Sequence, residues 1–488
     1  DETLKKSPGI LGDFIRSQAI KGINQIRQIK AGPISVEDNI GQVYKHPLTN
    51  SYSEGLTLPQ YWGSTFGARK GAVDRKIEVS QPGMLANELL HLAQDYTVTE
   101  KDCGTHRGIS MSITSNDIYD HVPVEDIVVK NKVIVKRNQI LTPHIISELK
   151  KNKILEIKVR SPLTCEAKEG VCSMCHGPEG GHFLQVGDYV GIRNAQFMAE
   201  PATQLTLSAF HTQGVVGAGT FNKGLNRLKN ILGMQPDFPG KAHIALEDGE
   251  VKDVIKRPEG STEVHINDHV YVVPAGIPVL VKKGQKVTKG TMLNEGMASP
   301  LDIYKIKGLL PARQFIADEL RKTYTDNGIY VRRRVFDTIA KALTNRAVIV
   351  DPGDAEDKFP GDYISASYAD RFNKTPITID AKDVKPHHRD PNTGGSIHPS
   401  KLKEGKVTVL PKPIVYEPLL KSLETTGLAK EDWLARMSFR HLKDTLQEGV
   451  VRYWVSDLSG HNPIPKYALG YPLQNPKEEN SNVVNSVK

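Results

Sequence analysis

The sequence predicts a multi-domain α+β protein, and three observations lead to this prediction. Its 488 residues are enough for two to four domains with more than one apolar core. Segments with apolar residues at helical spacing are interspersed with segments in which polar and apolar residues alternate, as they do in strands. Thirty prolines and 41 glycines indicate many short elements joined by long connections, which suits part of an assembly better than a compact enzyme.

The composition is that of a globular chain with a basic balance. Hydrophobic residues make up 38% and charged residues 25%, which argues against a disordered chain. The formal net charge of +8 favours nucleic acid as a partner, because basic surfaces release counterions from phosphates, although a generically basic protein fits the charge equally well. The sequence has neither a membrane-length apolar run nor a signal-peptide core at its start, so we expect an intracellular protein with no membrane partner.

The first third of the chain predicts helices followed by strands. Residues 10–31 have helical spacing and stop at Gly32-Pro33, a pair that ends helices. Residues 58–99 are helical again, but Pro82-Gly83 interrupt the pattern and by themselves predict a turn between two helices. Residues 124–160 alternate and are predicted as strands.

The remaining two thirds mix both patterns. Residues 190–210 are helical and lead into a glycine-rich segment, and residues 241–300 are β-rich. Two further helices are amphipathic, with apolar faces made by Phe315, Ile316 and Leu320 and by Phe336, Ile339 and Leu343. The run 332–334, three arginines, is more typical of a solvated helix face than of a DNA contact. Residues 381–406 are predicted as an exposed insertion.

All four cysteines fall into one candidate set of metal ligands: Cys103, Cys165, Cys172 and Cys175. A C-x6-C-x2-C run with one distant partner can surround Zn(II) with four thiolates and leave no open position, which makes the metal structural. Disulfides or unrelated buried thiols are the alternative, which an intracellular chain disfavours. His176 follows the last cysteine and is expected to support the ligands from outside the metal or to face solvent.

Several motifs resemble, in chain order, parts of the beta-prime subunit of multisubunit RNA polymerase. A segment of this chain resembles the family's bridge helix: GSTFGARKGAVD. Two segments resemble a zinc site, LLHLAQDYTVTEKDCGT and VRSPLTCEAKEGVCSMCHG, and one resembles the trigger loop, EPATQLTLSAFHTQG. A later segment of this chain resembles the family's C-terminal switch and clamp region: YEPLLKSLETTGLAKEDWLARMSFRHLKDTLQEGVV. The resemblance implies a long bridge helix, a zinc-binding segment, a helical-hairpin trigger loop, a small β-rich insertion and a C-terminal helical clamp and switch region.

The resemblance and the patterns together give the expected domain boundaries. They are 1–57 for a bracing loop and lead-in, 58–100 for the bridge helix, 101–185 for the zinc-site and β segment, 186–235 for the trigger loop and helices, 236–305 for a β-rich jaw-like insertion, 306–380 for a helical segment, 381–410 for the exposed insertion, 411–474 for the C-terminal switch and clamp helices, and 475–488 for a tail.

In such polymerases the trigger loop refolds into two helices over a bound nucleoside triphosphate, and this implies roles for three residues here. His211 would stabilise or protonate the leaving pyrophosphate, Leu207 would pack on the incoming base, and Gln204 would contact the ribose hydroxyls. Without the resemblance, His211 would be read as a surface histidine at a helix end and Leu207 as a core residue. Ser208 stands where most cellular relatives carry an arginine that touches the triphosphate.

The bridge helix implies contacts with nucleic acid. Arg69 and Lys70 would hold template or downstream DNA through phosphates, while Val79 and Ser80 would face the templating base. The resemblance also implies one long, kinked helix through Pro82-Gly83, in place of the turn that those two residues predict on their own.

The Asp-x-Asp-Gly-Asp signature that holds catalytic magnesium in this family is absent from the sequence, and the acidic run DPGDAED at 351–357 is better explained as a structural loop. The resemblance therefore implies a split subunit, inactive alone, with Mg(II) held by a partner chain; we favour a jumbo-bacteriophage origin and the host cytoplasm. Implied partners are the N-terminal beta-prime part, the beta parts, a promoter-specificity factor, template DNA, transcript RNA and nucleoside triphosphates. The alternative is a non-catalytic, zinc-containing nucleic-acid-binding scaffold derived from the same fold.

Overall fold

The structure, a computed structural model, shows a chain of helices and short strands, so the predicted α+β class is confirmed. The described residues are 9–17, 19, 23–33, 36, 44–77, 80–119, 121–129, 131–209, 227–238, 240–274, 277–326, 329–395, 397, 405–430, 433–437, 441–455, 458 and 470. No helix within these ranges is both long and apolar enough to cross a membrane. The chain forms two compact units: 1–87, 197–229 and 323–330 make the first, and 88–196, 230–322 and 331–488 make the second.

The helices in chain order are α1 (Ile10–Arg16), α2 (Ile23–Ala31), α3 (Leu58–Ile77), α4 (Ser80–Ala93), α5 (Pro143–Lys151), α6 (Ser173–His176), α7 (Val190–Ala209), α8 (Pro300–Lys307), α9 (Leu309–Asp326), α10 (Arg333–Thr344), α11 (Ala366–Lys374), α12 (Leu423–Leu428), α13 (Trp433–Met437) and α14 (Leu442–Val451). The strands are β1 (Val98–Glu100), β2 (Ile109–Ser112), β3 (Ile127–Val129), β4 (Lys132–Val135), β5 (Glu156–Val159), β6 (Val171–Cys172), β7 (Gly249–Lys256), β8 (Thr262–Ile266), β9 (His269–Val273), β10 (Lys286–Val287), β11 (Arg346–Asp351), β12 (Tyr363–Ser365), β13 (Ile377–Asp380), β14 (Lys406–Val409) and β15 (Val415–Pro418).

The first unit begins with α1 and α2, which occupy the predicted helical segment 10–31. Helix α2 ends at Gly32, whose φ of +87° suits glycine and whose added Cβ would lie 2.7 Å from the carbonyl oxygen of Asn50. The close approach of these two segments explains why no side chain fits at position 32. Tyr44 stacks on Phe66 of α3, with ring centroids 5.3 Å apart.

The turn predicted at Pro82-Gly83 is wrong, because both residues lie within the first turn of α4. A proline in a first turn lacks only an N–H group that would have no partner inside the helix, so it does not break the helix there. Residues 78 and 79, between α3 and α4, lie outside the described residues.

The second unit contains several small sheets. The predicted β-rich segment 241–300 is confirmed by a four-stranded antiparallel sheet in the order β10-β7-β8-β9, whose buried face includes Val251, Val264 and Val273. A three-stranded antiparallel sheet has the order β12-β11-β15. The predicted strands within 124–160 are present, but the same range also contains α5, which the alternation missed.

Helix α5 begins where Thr142 caps it and Pro143 occupies its first position. This pair is a recognisable start signal in the sequence, so the helix could have been predicted. Its buried side chains Ile145, Ile146 and Leu149 have helical spacing, which short neighbouring strands with the same apolar residues concealed.

The arginine run at the start of helix α10, predicted as a solvated face, is exposed at Arg332, half-buried at Arg333 and buried at Arg334. Every residue from Arg334 to Thr344 is buried, polar and charged residues included. The predicted apolar face of Phe336, Ile339 and Leu343 is confirmed as core, but the opposite face is also covered. Its polar groups bind protein atoms: Asp337 accepts a hydrogen bond from Ser161 at 2.7 Å.

The predicted exposed insertion, 381–406, lies between β13 and β14, which pair antiparallel at its base. Most of its described residues are exposed or half-buried, but Val384 and His388 are buried. The insertion is therefore anchored to the unit at two points. The predicted tail, 475–488, lies outside the described residues.

Candidate metal centre

The four cysteines predicted as ligands meet in the second unit. Their sulfur atoms lie within 4.8 Å of one another, and the Sγ of Cys103 is 3.7 Å from that of Cys175 and 3.9 Å from that of Cys165. These separations exceed the roughly 2.05 Å of a disulfide bond. They match the edge of a tetrahedron, because zinc–sulfur bonds of about 2.3 Å place the sulfurs about 3.8 Å apart. The cluster therefore fits a four-coordinate metal ion.

Backbone N–H groups surround the sulfurs. The N–H of Cys172 donates to Cys165 Sγ at 3.3 Å, that of Cys175 donates to Cys172 Sγ at 3.3 Å, and that of Glu166 donates to Cys103 Sγ at 3.4 Å. Such donors favour a sulfur that carries negative charge. The C-x2-C segment folds this way because Cys172 caps the short helix α6, which places Cys175 one turn further on.

Without a cation the four thiols would not all ionise. Hydrogen bonds with the other three thiols lower the pKa of Cys103 and raise the pKa of Cys175, while those with Cys103 and Cys165 raise the pKa of Cys172. The four thiols of the cluster thus differ in acidity. A divalent cation at its centre would allow all four groups to bind as thiolates.

The cluster lies where the end of α4 approaches the start of α7. Strand β1 follows α4 and pairs in parallel with β6, which ends at Cys172. The N–H of Val98 donates to the carbonyl of Asp188 at 2.9 Å, and that of Gly191 donates to the carbonyl of Tyr96 at 2.8 Å. A Cβ at Gly191 would lie 1.9 Å from the carbonyl oxygen of Ala93. The two helices therefore approach too closely for any side chain at that position.

Gly170, in the loop between Cys165 and Cys172, allows a first test of this geometry. Its φ is +59°, and an added Cβ would lie 2.2 Å from the carbonyl oxygen of Thr97. Gly180 has nearly the same φ, +58°, with nothing within 4 Å of its Cβ position. We expect Gly180→Ala to lower the free energy of unfolding by about 1 kcal/mol, because alanine is strained in the left-handed region. Gly170→Ala should lower it by the same amount and by about 1–3 kcal/mol more, because of the clash.

Urea denaturation of both glycine variants measures the difference in free energy of unfolding. Equal losses in the two variants would mean that β1 and the cysteine loop do not pack as closely as the structure has them.

Three buried cations lie around the cysteine loop, and the sequence predicted none of them to be there. Arg160 Nη2 lies 3.7 Å from Cys103 Sγ and pairs with Asp102 at 2.6 Å. From α10, Lys341 Nζ donates to the carbonyl of Cys165 at 2.9 Å, and Arg334 Nη1 donates to the carbonyl of Pro178 at 2.6 Å. For Arg160, the position five residues before a ligand was a usable signal. For the other two, the separation along the chain left none.

His176 is fully buried, so the expectation that it faces solvent is wrong. Burial first, and then the nearby Arg334 guanidinium, lower its pKa to about 3, so the ring is neutral at physiological pH. Its Nδ1 contacts the carbonyl of Gly177 at 3.3 Å. It is outside the group of four ligands and supports the loop that carries them.

The other predicted site residues belong to different elements. Arg69 is exposed and Lys70 half-buried on α3, and Ser80 is exposed at the start of α4. Gln204 and Leu207 lie three residues apart near the end of α7, which places them on the same side of that helix. Val79 and His211 lie outside the described residues.

Asp354, His387 and His388 form a second group within metal-ligand distance. His388 Nδ1 accepts the N–H of Lys385 at 3.0 Å, so the neutral ring carries its proton on Nε2, which faces Asp354 Oδ2 at 3.0 Å. A metal would need the lone pair of that same Nε2. The hydrogen bonds therefore favour a structural contact between the insertion 381–406 and the acidic loop over a metal site.

Lys412 binds two carboxylates of the acidic loop 351–357. The backbone N–H of Lys412 donates to Asp354 Oδ2 at 2.6 Å, and the ammonium of Lys412 contacts Asp351 Oδ2 at 2.7 Å. Asp351 also accepts the N–H of Gly353 at 3.0 Å. These contacts fit the structural loop that the sequence predicted better than a magnesium site.

Comparison with known proteins gives consistent matches. The family model described as RNA polymerase Rpb1, domain 5, matches residues 55–271. A DNA-directed RNA polymerase subunit beta' from Caldanaerobacter subterraneus subsp. tengcongensis is 32% identical over 373 residues, covering 72% of this chain and 31% of the relative. Proteins of that name from Bifidobacterium adolescentis and Streptomyces avermitilis are 29% and 28% identical over 477 and 470 residues, covering 92% of this chain and 33% of each relative. The chain thus spans about a third of the length of these curated relatives.

Proposed function

Because this chain belongs to the beta-prime subunit family of multisubunit DNA-directed RNA polymerase, as a C-terminal part of that subunit, we propose that it supplies the bridge helix and trigger loop for template-directed RNA synthesis. One observation carries the proposal. The matched residues 55–271 contain, in order, helices α3 and α4, the four clustered cysteines and helix α7, which ends two residues before His211.

In this proposal α3 and α4 form the bridge helix. Exposed Arg69 and half-buried Lys70 bind phosphates of template or downstream DNA, because the attraction between a positive side chain and the phosphates does not depend on base sequence. Val79 and Ser80 face the templating base.

The trigger loop follows α7. Gln204 and Leu207, on one side of that helix, contact the ribose hydroxyls and the base of the incoming triphosphate. His211 approaches the phosphates and either donates a proton to the leaving pyrophosphate or stabilises its charge as a positioned cation. The glycines at 214, 217 and 219 provide the conformational freedom that opening and closing need.

We place the structural metal and the catalytic metal on different polypeptides. In this proposal the cysteine cluster holds structural Zn(II), because four thiolates leave no open position on the metal, and the bound metal fixes α7 at the base of the trigger loop. Catalytic Mg(II) is held outside these 488 residues, since they lack Asp-x-Asp-Gly-Asp and the acidic loop 351–357 is occupied by Lys412. The chain by itself is then inactive.

The proposed partners are the other polymerase subunits, including the N-terminal beta-prime part, the beta parts and a promoter-specificity factor, acting on DNA, RNA and nucleoside triphosphates in the cytoplasm. The jumbo-bacteriophage origin stays a prediction. We expect the tagged chain, isolated from cells that make it, to bring down a polypeptide carrying Asp-x-Asp-Gly-Asp and to extend a primed RNA. A chain that bound magnesium and made RNA unaided would contradict the division of labour.

A further inference from the structure

Lys341 of α10 is a buried cation without a carboxylate partner. Its residue is 0% exposed, and its ammonium donates to the carbonyl oxygen of Cys165 at 2.9 Å. Among the described residues, no carboxylate lies within 4.0 Å of Lys341 Nζ. Burying an ammonium group is unfavourable unless a negative charge compensates it. An anion near this position would compensate the charge of the Lys341 ammonium.

The cysteine cluster is the anion that fits. Four thiolates around a divalent metal carry a net charge of −2, and the carbonyl that Lys341 contacts belongs to one of the ligands.

Arg160 contributes differently. Its guanidinium lies 3.7 Å from Cys103 Sγ, but it also pairs with Asp102 at 2.6 Å. The positive charge of Arg160 is thus cancelled locally by a carboxylate, and the pair gives Cys103 a hydrogen-bond donor with little net charge. Arg334, the third cation, contacts the carbonyl of Pro178, which is not one of the four cysteines. Lys341 is thus the cation that contacts a predicted ligand, Cys165, with no carboxylate partner among the described residues.

We infer that Lys341 is a positioning residue of the metal centre: its buried ammonium compensates the tetrathiolate charge and holds the Cys165 carbonyl, and so slows release of the metal. The inference rests on the proposed metal centre. It also explains a lysine at a position of α10 where a methionine or leucine would fill the same space without the cost of a buried charge.

The test uses the full chain loaded with Co(II), whose thiolate charge-transfer and d–d absorption bands report four sulfur ligands. Lys341→Met removes both charge and donor, whereas Lys341→Gln keeps a donor for the Cys165 carbonyl and removes the charge. We expect both variants to lose metal to a chelator about tenfold faster than the wild type. Lys430→Met is the matched control, because Lys430 is a buried lysine paired with Asp95 elsewhere in the same unit.

The outcomes separate the two claims. A wild-type chain without the four-sulfur cobalt spectrum would refute the metal centre itself. A wild-type spectrum with unchanged release in Lys341→Gln, or with equal acceleration in Lys430→Met, would refute the role of Lys341 alone. If Lys341→Met does not fold, Lys341→Gln decides by itself, since it keeps a polar side chain in a polar contact.

Discussion

Cys172→Ser is expected to abolish metal binding and to unfold the cysteine-bearing segment from β1 to the start of α7. Structural zinc sites supply about 10–16 kcal/mol to folding, which is as large as the whole stability of a domain, about 5–15 kcal/mol. The local core cannot replace this contribution. Its buried members are Val98, Cys165, Ala167, Val171, Cys172, Cys175 and Val190, so three of the seven are predicted ligands.

Metal content by elemental analysis and amide hydrogen exchange across residues 98–190 measure the effect of this substitution. Removal of the metal from the wild type with a chelator should give the same loss of protection. Ser173→Ala is the control, because it keeps all four ligands and removes only the hydrogen bond from Ser173 Oγ to the carbonyl of Leu184, worth about 1 kcal/mol. A metal-free chain with full protection and normal assembly would end the assignment.

His211→Ala is expected to slow nucleotide addition at least tenfold in the assembled polymerase while assembly stays intact. General acid catalysis by a positioned side chain typically increases a reaction rate about 10²–10⁴-fold. Loss of a cation that stabilises the leaving pyrophosphate would lower the rate to a similar extent. The measurement is the rate of single-nucleotide addition at saturating triphosphate. His144→Ala is the control, since His144 is an exposed histidine on α5, far along the chain from the trigger segment.

His211→Gln tests whether the ionisable ring is needed at all. Glutamine can donate a hydrogen bond but neither titrates nor carries charge, so a low rate without the pH dependence would mean that the proton or the positive charge of His211 contributes, whereas a wild-type rate would mean that a hydrogen bond is enough. A wild-type rate in His211→Ala would remove His211 from the chemistry. It would also favour the alternative of a non-catalytic, zinc-containing nucleic-acid-binding scaffold, for which Ser208 is the sequence support.

The metal centre shows how far a sequence can lead. Cysteine has few uses in a reduced protein, so four cysteines with C-x6-C-x2-C spacing predict a common site even though Cys103 is 62 residues from Cys165. The predicted set is the one that the structure brings together. The roles of Gln204, Leu207 and His211 come from resemblance only and stay predictions.

The sequence by itself determined most helical and strand segments, the set of four cysteines that meet and the order of motifs that marks the family, because residue type and spacing carry that information directly. Tertiary structure alone decided the surroundings of α10. Its sequence has the pattern of a half-exposed helix, yet Arg334 and Lys341 are buried because carbonyls of the cysteine segment, more than 150 residues earlier, accept their hydrogen bonds. Periodicity reports which side chains share a face, but whether water or protein covers that face depends on partners distant in the chain.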